Sequence, residues 1–221
     1  MTSRYAEEEF RTVAANAGCP VERVPLGVDL ETFRPVPRAP RGREPAAGPR
    51  RTALAGEVPA PRRRHGGRAC TGAAYRCGWT STATARTATS LEEIAAGAPV
   101  TFHGYVDGRE VLRDRLAAAD VSLSVCPGET FGLAVLEALA CGTPVVTADR
   151  GGARELVDAA SGEWATPDAS ALADAVLRLA ARPEEDVRRG ARQRAERFGW
   201  DRTVARMLAL HAGERVGVLT A

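Results

Sequence analysis

Lysine is absent from this sequence, and all 30 of its basic residues are arginine. Arginine, alanine, glycine and proline have GC-rich codons, so a GC-rich gene explains this bias without a functional cause. Since 28 acidic residues leave a net charge of +2, the charge balance by itself indicates no acidic partner. No apolar run approaches the roughly 20 residues that a membrane-spanning helix needs. The acidic, amphipathic residues 1–13 do not have the pattern of a signal peptide.

The cysteines also lack a recognisable pattern. Their number is odd, and the spacing of Cys70 and Cys77 suits neither a redox pair nor a metal knuckle. The full set is Cys19, Cys70, Cys77, Cys126 and Cys141. The sequence therefore predicts a reduced, cytoplasmic protein with no metal site, and no motif indicates a bound cofactor.

From residue 100 onward, predicted strands and helices alternate. The strands cover residues 100–106, 121–125 and 144–148, and the helices between them cover residues 109–119 and 130–141. Further helices are predicted over residues 5–17 and from Asp168, Pro183 and Asp201. Near-continuous apolar strands separated by helices favour an α/β fold, with a Rossmann-like parallel sheet and flanking helices.

Residues 39–89 have neither a helical nor a strand period and are rich in Arg, Pro and Ala. We therefore expect this segment to be irregular and the sheet to be incomplete. It can be read as a disordered linker. Its run PRRRHGGR also suggests a nucleic-acid-binding arm, but the aromatic residues expected of a single-strand binder are nearly absent. No specific nucleic acid is expected as a partner.

Two glutamates in the stretch ETFGLAVLEALACG, Glu129 and Glu137, are the most informative residues. If residues 130–141 are helical, their α-carbons lie roughly 12 Å apart along the axis and differ in azimuth by about 80°. That is too far apart for a hydrolase pair, whose carboxyl groups lie at most about 9.5 Å apart. It suits two acceptors that hold distant hydroxyls of one long ligand.

The N-terminus of the predicted helix lies between these glutamates and attracts anions. The backbone N–H groups concerned belong to Thr130, Phe131, Gly132 and Leu133. A carboxylate, an anion site and a second carboxylate match the sugar, diphosphate and ribose of a nucleotide sugar. Taken alone, such a pair is better explained as a helix cap and an exposed helix residue, and it is the surrounding sequence that favours the ligand-binding interpretation.

That surrounding sequence, PGETFGLAVLEALACGTPVVTADRGGARELV, resembles the Glu-x7-Glu signature of the retaining glycosyltransferases with the GT-B fold (family 4-like, glycosyl transferases group 1). The segments VPLGVDLETFRP and VTFHGYVDGREVLRDRLAAADVSLSV resemble two further blocks of this family, in the same order. The resemblance covers about 35 residues at the start of the chain and everything from about Leu91 onward.

The resemblance implies that this chain is the C-terminal, donor-binding half of such an enzyme. Glu129 would be the catalytic-site carboxylate that holds the hexose hydroxyls, and Glu137 would hold the ribose. Phe131, Gly132 and Leu133, with Thr130 beside them, would offer backbone amides to the hexose and diphosphate. The donor would be GDP-mannose or a UDP-sugar and no metal would be needed. The acceptor, a glycan, a lipid glycan or a small molecule, is not specified.

Gly151 and Gly152 lie in the same family block. From this sequence alone, a plain turn between a strand and a helix explains them equally well.

By the same resemblance, residues 1–38 contain the end of the acceptor domain, the crossover and the start of the donor domain, and residues 90–221 form the donor-binding domain. Residues 39–89 lack the family's Gly-Arg-Leu strand and its lysine. We therefore expect this segment to be encoded out of frame, and the activity of the polypeptide alone to be impaired. The resemblance also leaves room for peripheral membrane association of the full-length enzyme.

Two alternatives remain at this point. A nucleotide-sugar epimerase shares the fold, and a nonenzymatic remnant could bind nucleotide sugars or nucleic acid. Binding that weakens steeply with salt would favour the nucleic-acid alternative.

Overall fold

The computed structural model describes residues 1–18, 20–37, 50–54, 77–81, 93, 100–103 and 106–213. The strands are β1 (Arg50–Leu54), β2 (Cys77–Ser81), β3 (Val100–Phe102), β4 (Val121–Ser124), β5 (Val145–Ala148) and β6 (Gly162–Ala165). The helices are α1 (Arg4–Asn16), α2 (Arg109–Ala118), α3 (Leu133–Ala140), α4 (Gly152–Glu155), α5 (Ala169–Ala180), α6 (Glu184–Ala195) and α7 (Trp200–His211). A 3-10 turn over Glu196–Phe198 joins α6 to α7.

The six described strands form one parallel sheet in the order β3-β2-β1-β4-β5-β6. This is the doubly wound order, and the chain reverses its direction of travel across the sheet between β1 and β4. In such sheets ligands bind outside the carboxyl ends of the strands at that reversal. The predicted α/β, Rossmann-like architecture with flanking helices is confirmed.

One expectation about the sheet is wrong. Residues 39–89 were expected to supply no strand, yet they contain β1 and β2, which pair with each other from Arg50 opposite Cys77 to Leu54 opposite Ser81. Parallel pairing with β4 on one side and β3 on the other places both strands inside the sheet, where neighbours override weak local patterns. The remainder of 39–89 lies outside the described residues, and the out-of-frame reading stays a prediction.

Apolar residues cover both faces of the sheet. Val145 and Val146, adjacent on β5, point to opposite faces and belong to different buried clusters. The cluster around Val145 includes Leu136 and Leu139 of α3, and the cluster around Val146 includes Leu179 of α5. Because α3 is clamped between the sheet and α6, its position relative to β4 and β5 is fixed.

The last helices begin largely as the sequence predicts. The Asp168 carboxylate accepts hydrogen bonds from the N–H groups of Ser170 and Ala171 and so caps α5. Pro183 occupies the N-cap of α6, but α7 begins at Trp200, so Asp201 lies inside its first turn instead of capping it. None of the helices in the described ranges combines the length and apolar character needed to cross a bilayer.

Candidate functional site

The loop between β4 and α3 carries the first glutamate. Helix α3 begins at Leu133, three residues later than the predicted start at residue 130. The reason is Gly132, whose φ of +97° lies in the left-handed region that other residues rarely adopt. A Cβ atom at Gly132 would also lie 3.0 Å from the Cβ atom of Ala153. The separation expected for the two glutamates on one ideal helix therefore does not apply, since Glu129 lies in a loop.

Glu129 accepts hydrogen bonds through both its side-chain carboxylate and its backbone carbonyl. Its Oε1 accepts a hydrogen bond of 3.1 Å from the N–H of Phe131. Its carbonyl oxygen accepts one of 2.6 Å from the N–H of Gly152, the first residue of α4. The carboxylate is thus held beside the beginning of α3, and the Phe131 N–H that was expected to face a ligand is satisfied by this carboxylate here. The Phe131 ring is buried in the core.

The other backbone amides of this loop have no acceptor in the described part of the chain. No carbonyl or side chain there accepts from the N–H groups of Thr130, Gly132 or Leu133. The first turn of α3 contains no acidic residue, and no side chain caps it. Free N–H groups at a helix N-terminus carry partial positive charge, so this end of α3 can bind an anion.

Glu137 lies on α3, one turn beyond Leu133, and is half-buried. Burial raises the pKa of its carboxyl group, and the positive charge of Arg109 acts in the opposite direction. Arg109 in turn forms an ion pair of 3.2 Å with Asp29 and lies 5.2 Å from the centre of the Phe33 ring. Glu137 therefore faces a local positive charge at the beginning of α2.

Asp29 organises the turn that follows Val28. Hydrogen bonds from Thr32 are the main cause that lowers the pKa of its carboxyl group, and the charge of Arg109 adds to this effect. Its Oδ1 accepts from the backbone N–H groups of Glu31 and Thr32 at 3.1 and 2.9 Å. Sequence reasoning missed Asp29 and Arg109 as neighbours of the site. The signal available was that both lie in the segments that carry the family resemblance.

Gly151 and Gly152 have a packing role that the sequence left undecided. A Cβ atom at Gly152 would lie 2.1 Å from the carbonyl oxygen of Thr130, and one at Gly151 would lie 2.9 Å from that of Pro127. Gly151 also has a φ of +90°. The loops after β4 and β5 therefore approach each other so closely that only glycine fits between them.

The C-terminal end of α3 is separate from this site. A cavity of about 500 Å³ lies there, against Cys141 and Gly142, and neither Glu129 nor Glu137 lines it. Two arginines that line it, Arg188 and Arg192, already donate to backbone carbonyls. Cys141 is fully buried, and burial raises the pKa of its thiol to about 12, which disfavours the nucleophilic thiolate. In the described ranges no cluster of three or more His, Cys, Asp or Glu side chains could hold a metal ion.

Comparison with known proteins identifies the matching segments. Residues 77–182 match the family model described as Glycosyl transferases group 1. The chain is 39% identical over 214 residues to the GDP-mannose-dependent alpha-(1-6)-phosphatidylinositol dimannoside mannosyltransferase of Mycobacterium tuberculosis, with 94% of the chain and 55% of that protein covered. It is 45% identical over 98 residues to the D-inositol 3-phosphate glycosyltransferase of Saccharomonospora viridis, covering 42% of the chain and 23% of that protein.

Solved structures support the same fold. Sucrose-phosphate synthase from Thermosynechococcus elongatus superposes with a TM-score of 0.73 at 27% identity, covering 96% of this chain and 57% of that one. HepE of Anabaena, solved with UDP and glucose, superposes with a TM-score of 0.70 at 19% identity, covering 93% and 61%. The chain thus spans about half the length of the mannosyltransferase and less than two thirds of either structure.

Proposed function

We propose that this chain, which belongs to the group 1 glycosyltransferases, is the part of such an enzyme that binds the nucleoside-diphosphate hexose donor. The observation that carries the proposal is the beginning of α3. There, amides without a described acceptor stand between two carboxylates, on the loop that follows β4 at the reversal point of the sheet. Transfer of the hexose, with retention, is proposed for the complete enzyme.

Each part of the donor is assigned to a group of matching chemistry. Glu129 accepts hydrogen bonds from the hexose hydroxyls. The N–H of Thr130 donates to a hexose hydroxyl, the N–H groups of Gly132 and Leu133 bind the diphosphate, and Glu137 accepts from the ribose hydroxyls. For the Phe131 N–H to reach the donor as well, the Glu129 carboxylate must exchange its bond to that amide for a bond to a hexose hydroxyl.

The proposed chemistry is electrostatic. When the bond between the hexose and the diphosphate breaks, negative charge develops on the leaving diphosphate. Preorganised N–H groups at a helix N-terminus stabilise that charge without reorienting, which is why such donors accelerate group transfer. No metal ion is assigned to the site.

GDP-mannose is the donor that we favour. One relative, which aligns with 94% of this chain, is named as a GDP-mannose-dependent mannosyltransferase. The two relatives are transferases whose names give different acceptors, a phosphatidylinositol dimannoside and D-inositol 3-phosphate. Since one donor half resembles both, we infer that acceptor choice depends on the part of the enzyme that this chain does not share with them.

Isothermal titration calorimetry on the full chain tests the proposal, with GDP-mannose and UDP-glucose as probes. We expect GDP-mannose to bind, and Glu129→Ala and Glu137→Ala each to weaken binding by about tenfold or more, because each loses a hydrogen bond to a charged acceptor. Glu185→Ala, an exposed glutamate on α6, is the matched control and should leave affinity unchanged. Absence of binding by the wild-type chain, or equal losses in all three variants, would contradict the proposal.

A further inference from the structure

The first helix of the chain reaches the glutamate loop through Ser3. This residue is 3% exposed and is the N-cap of α1, where its Oγ accepts from the N–H of Ala6 at 3.0 Å. The same hydroxyl donates to the carbonyl oxygen of Thr130 at 2.5 Å. A side chain at one end of α1 thus holds a backbone carbonyl of the site.

A second connection runs through α4. Glu155, its last residue, accepts hydrogen bonds from the N–H groups of Arg4 and Tyr5 at 3.0 and 2.8 Å. Gly152, its first residue, donates to the carbonyl oxygen of Glu129. Arg194 is almost fully buried and holds the far end of α4 by donating to the Glu155 carbonyl at 2.8 Å. The short helix α4 therefore connects α1 to the backbone of Glu129 through hydrogen bonds at both of its ends.

These contacts fix two successive peptide planes of the loop. The carbonyl of Thr130 and the N–H of Phe131 belong to one planar trans peptide, so they point in opposite directions. The Ser3 hydroxyl donates to the carbonyl oxygen of Thr130, and the N–H of Phe131 donates to the Glu129 carboxylate. In the preceding plane, Gly152 holds the Glu129 carbonyl and leaves the Thr130 N–H on the opposite side. Hydrogen bonds linked through a peptide in this way also polarise one another.

We propose that Ser3 and Glu155 are positioning residues for the hexose end of the donor site. They orient the two peptide planes on either side of Thr130, and through them the Glu129 carboxylate and the Thr130 N–H. This inference rests on the donor-binding function proposed above. Glu137 is different, because the backbone of α3 holds it and neither α1 nor α4 contributes a hydrogen bond to it in the described residues.

This difference predicts a split between two affinities. Loss of the Ser3 contact loosens the groups that meet the hexose and leaves the ribose end in place. The affinity for GDP should then stay within about twofold, while the affinity for GDP-mannose falls by about fivefold, the factor that one net hydrogen bond supplies. A general loss of structure would weaken both ligands together.

Ser3→Gly and Ser3→Thr are the informative pair of variants. Glycine is tolerated at an N-cap but has no hydroxyl to donate to Thr130, whereas threonine retains both the cap and the donor. We expect the split in Ser3→Gly and its reversal in Ser3→Thr. Glu155→Ala should produce the same split, and Ser170→Ala, an exposed serine on α5, should produce none.

Hydrogen exchange of the Phe131 amide, measured without any nucleotide, tests the contact independently. It should be faster by about fivefold in Ser3→Gly and unchanged in Ser3→Thr, with Leu123 of β4 as the internal reference. Unchanged exchange in Ser3→Gly, or equal weakening of GDP and GDP-mannose, would overturn the positioning role. If the wild-type chain binds neither GDP-mannose nor UDP-glucose, the donor-binding function fails, and the exchange result still decides whether Ser3 orders the loop.

Discussion

The two ends of α3 are built in opposite ways. At its C-terminal end Gly142 has a φ of +72°, and the N–H groups of Gly142 and Thr143 donate to the carbonyls of Leu139 and Ala138, both at 2.9 Å. This is a Schellman cap, which satisfies carbonyls that would otherwise lack partners. Arg192 donates to the Ala140 carbonyl at 2.9 Å, and Arg188 donates to that of Gly142 at the same distance.

At its N-terminal end, α3 has no side-chain cap and no acidic residue in the first turn. A serine or aspartate at the N-cap would accept hydrogen bonds from the N–H groups of that turn, but the N-cap residue is Gly132, which has a left-handed backbone. The chain's own groups thus satisfy the C-terminal end of the helix, while the N-terminal end keeps the N–H groups that the proposed diphosphate site requires. A site that binds anions must forgo some stability in this way.

The largest effect on stability is expected from removing a side-chain donor at the C-terminal end of α3. Arg192→Ala removes the donor to the carbonyls of Ala140 and Phe33 and should lower the free energy of unfolding by about 2 kcal/mol, the cost of leaving part-buried carbonyls unpaired. Urea denaturation measures this. Arg189→Ala is the matched control, because Arg189 is exposed and pairs only with the exposed Asp186 among the described residues. Equal losses in both variants would show that the hydrogen bonds of Arg192 to these carbonyls contribute nothing to stability.

A smaller effect on stability, of opposite sign, is expected from adding a negative charge at the N-terminal end of α3. Ala134→Glu places a negative charge in the first turn of α3, which should stabilise the protein by about 0.5 kcal/mol through the helix dipole. The same charge should weaken GDP-mannose binding, because it competes with the diphosphate for the amides. Ala134→Gln, of the same size without the charge, should do neither. Tighter GDP-mannose binding in Ala134→Glu would argue against an anion site at this end.

The smallest effect concerns the pH dependence set by Glu137. Burial raises the pKa of its carboxyl group in the folded state, so the folded state holds this proton more tightly than the unfolded state does. Its contribution to stability is fully present below its ordinary value of 4.5 and is lost as the pH rises through the raised pKa. Glu137→Gln should therefore gain stability relative to wild type across that window.

Urea denaturation from about pH 4 to about pH 8 would show the crossover. Arg109→Gln provides a second test, since removing the positive charge that lowers the pKa of Glu137 should extend the window to higher pH. A difference between wild type and Glu137→Gln that does not vary with pH would contradict the assignment.

The sequence predicted what repeats locally and missed what depends on distant contacts. The helical period over residues 5–17 and the apolar strands after residue 100 are strong local signals, and α1, β4 and β5 follow them. The start of α3 was misplaced because the apolar pattern of the sequence does not reveal that Gly132 has a left-handed backbone, which delays the helix to Leu133. The strands β1 and β2 were missed because pairing with their neighbours, not their own pattern, makes them strands.

The candidate site likewise has features that the sequence predicts and contacts that it does not. The two glutamates and the helix N-terminus between them could be predicted, since they lie within nine consecutive residues of a recognisable motif. The contacts of Ser3 and Glu155 could not, because they join residues 127 and 150 positions apart in the chain. No periodicity encodes such a pairing. The ion pair between Arg109 and Asp29 was missed for the same reason.

The position of β1 in the sheet has a consequence for solubility. All four residues of β4 are buried, and β1 is the strand that covers the edge of β4 opposite β5. If β1 were displaced, the backbone N–H and C=O groups along that edge of β4 would lose their partners, and such an unpaired edge is a template on which chains pair and aggregate. We therefore expect the short strand Arg50–Leu54, remote in sequence from both glutamates, to limit edge-to-edge pairing between copies of the protein.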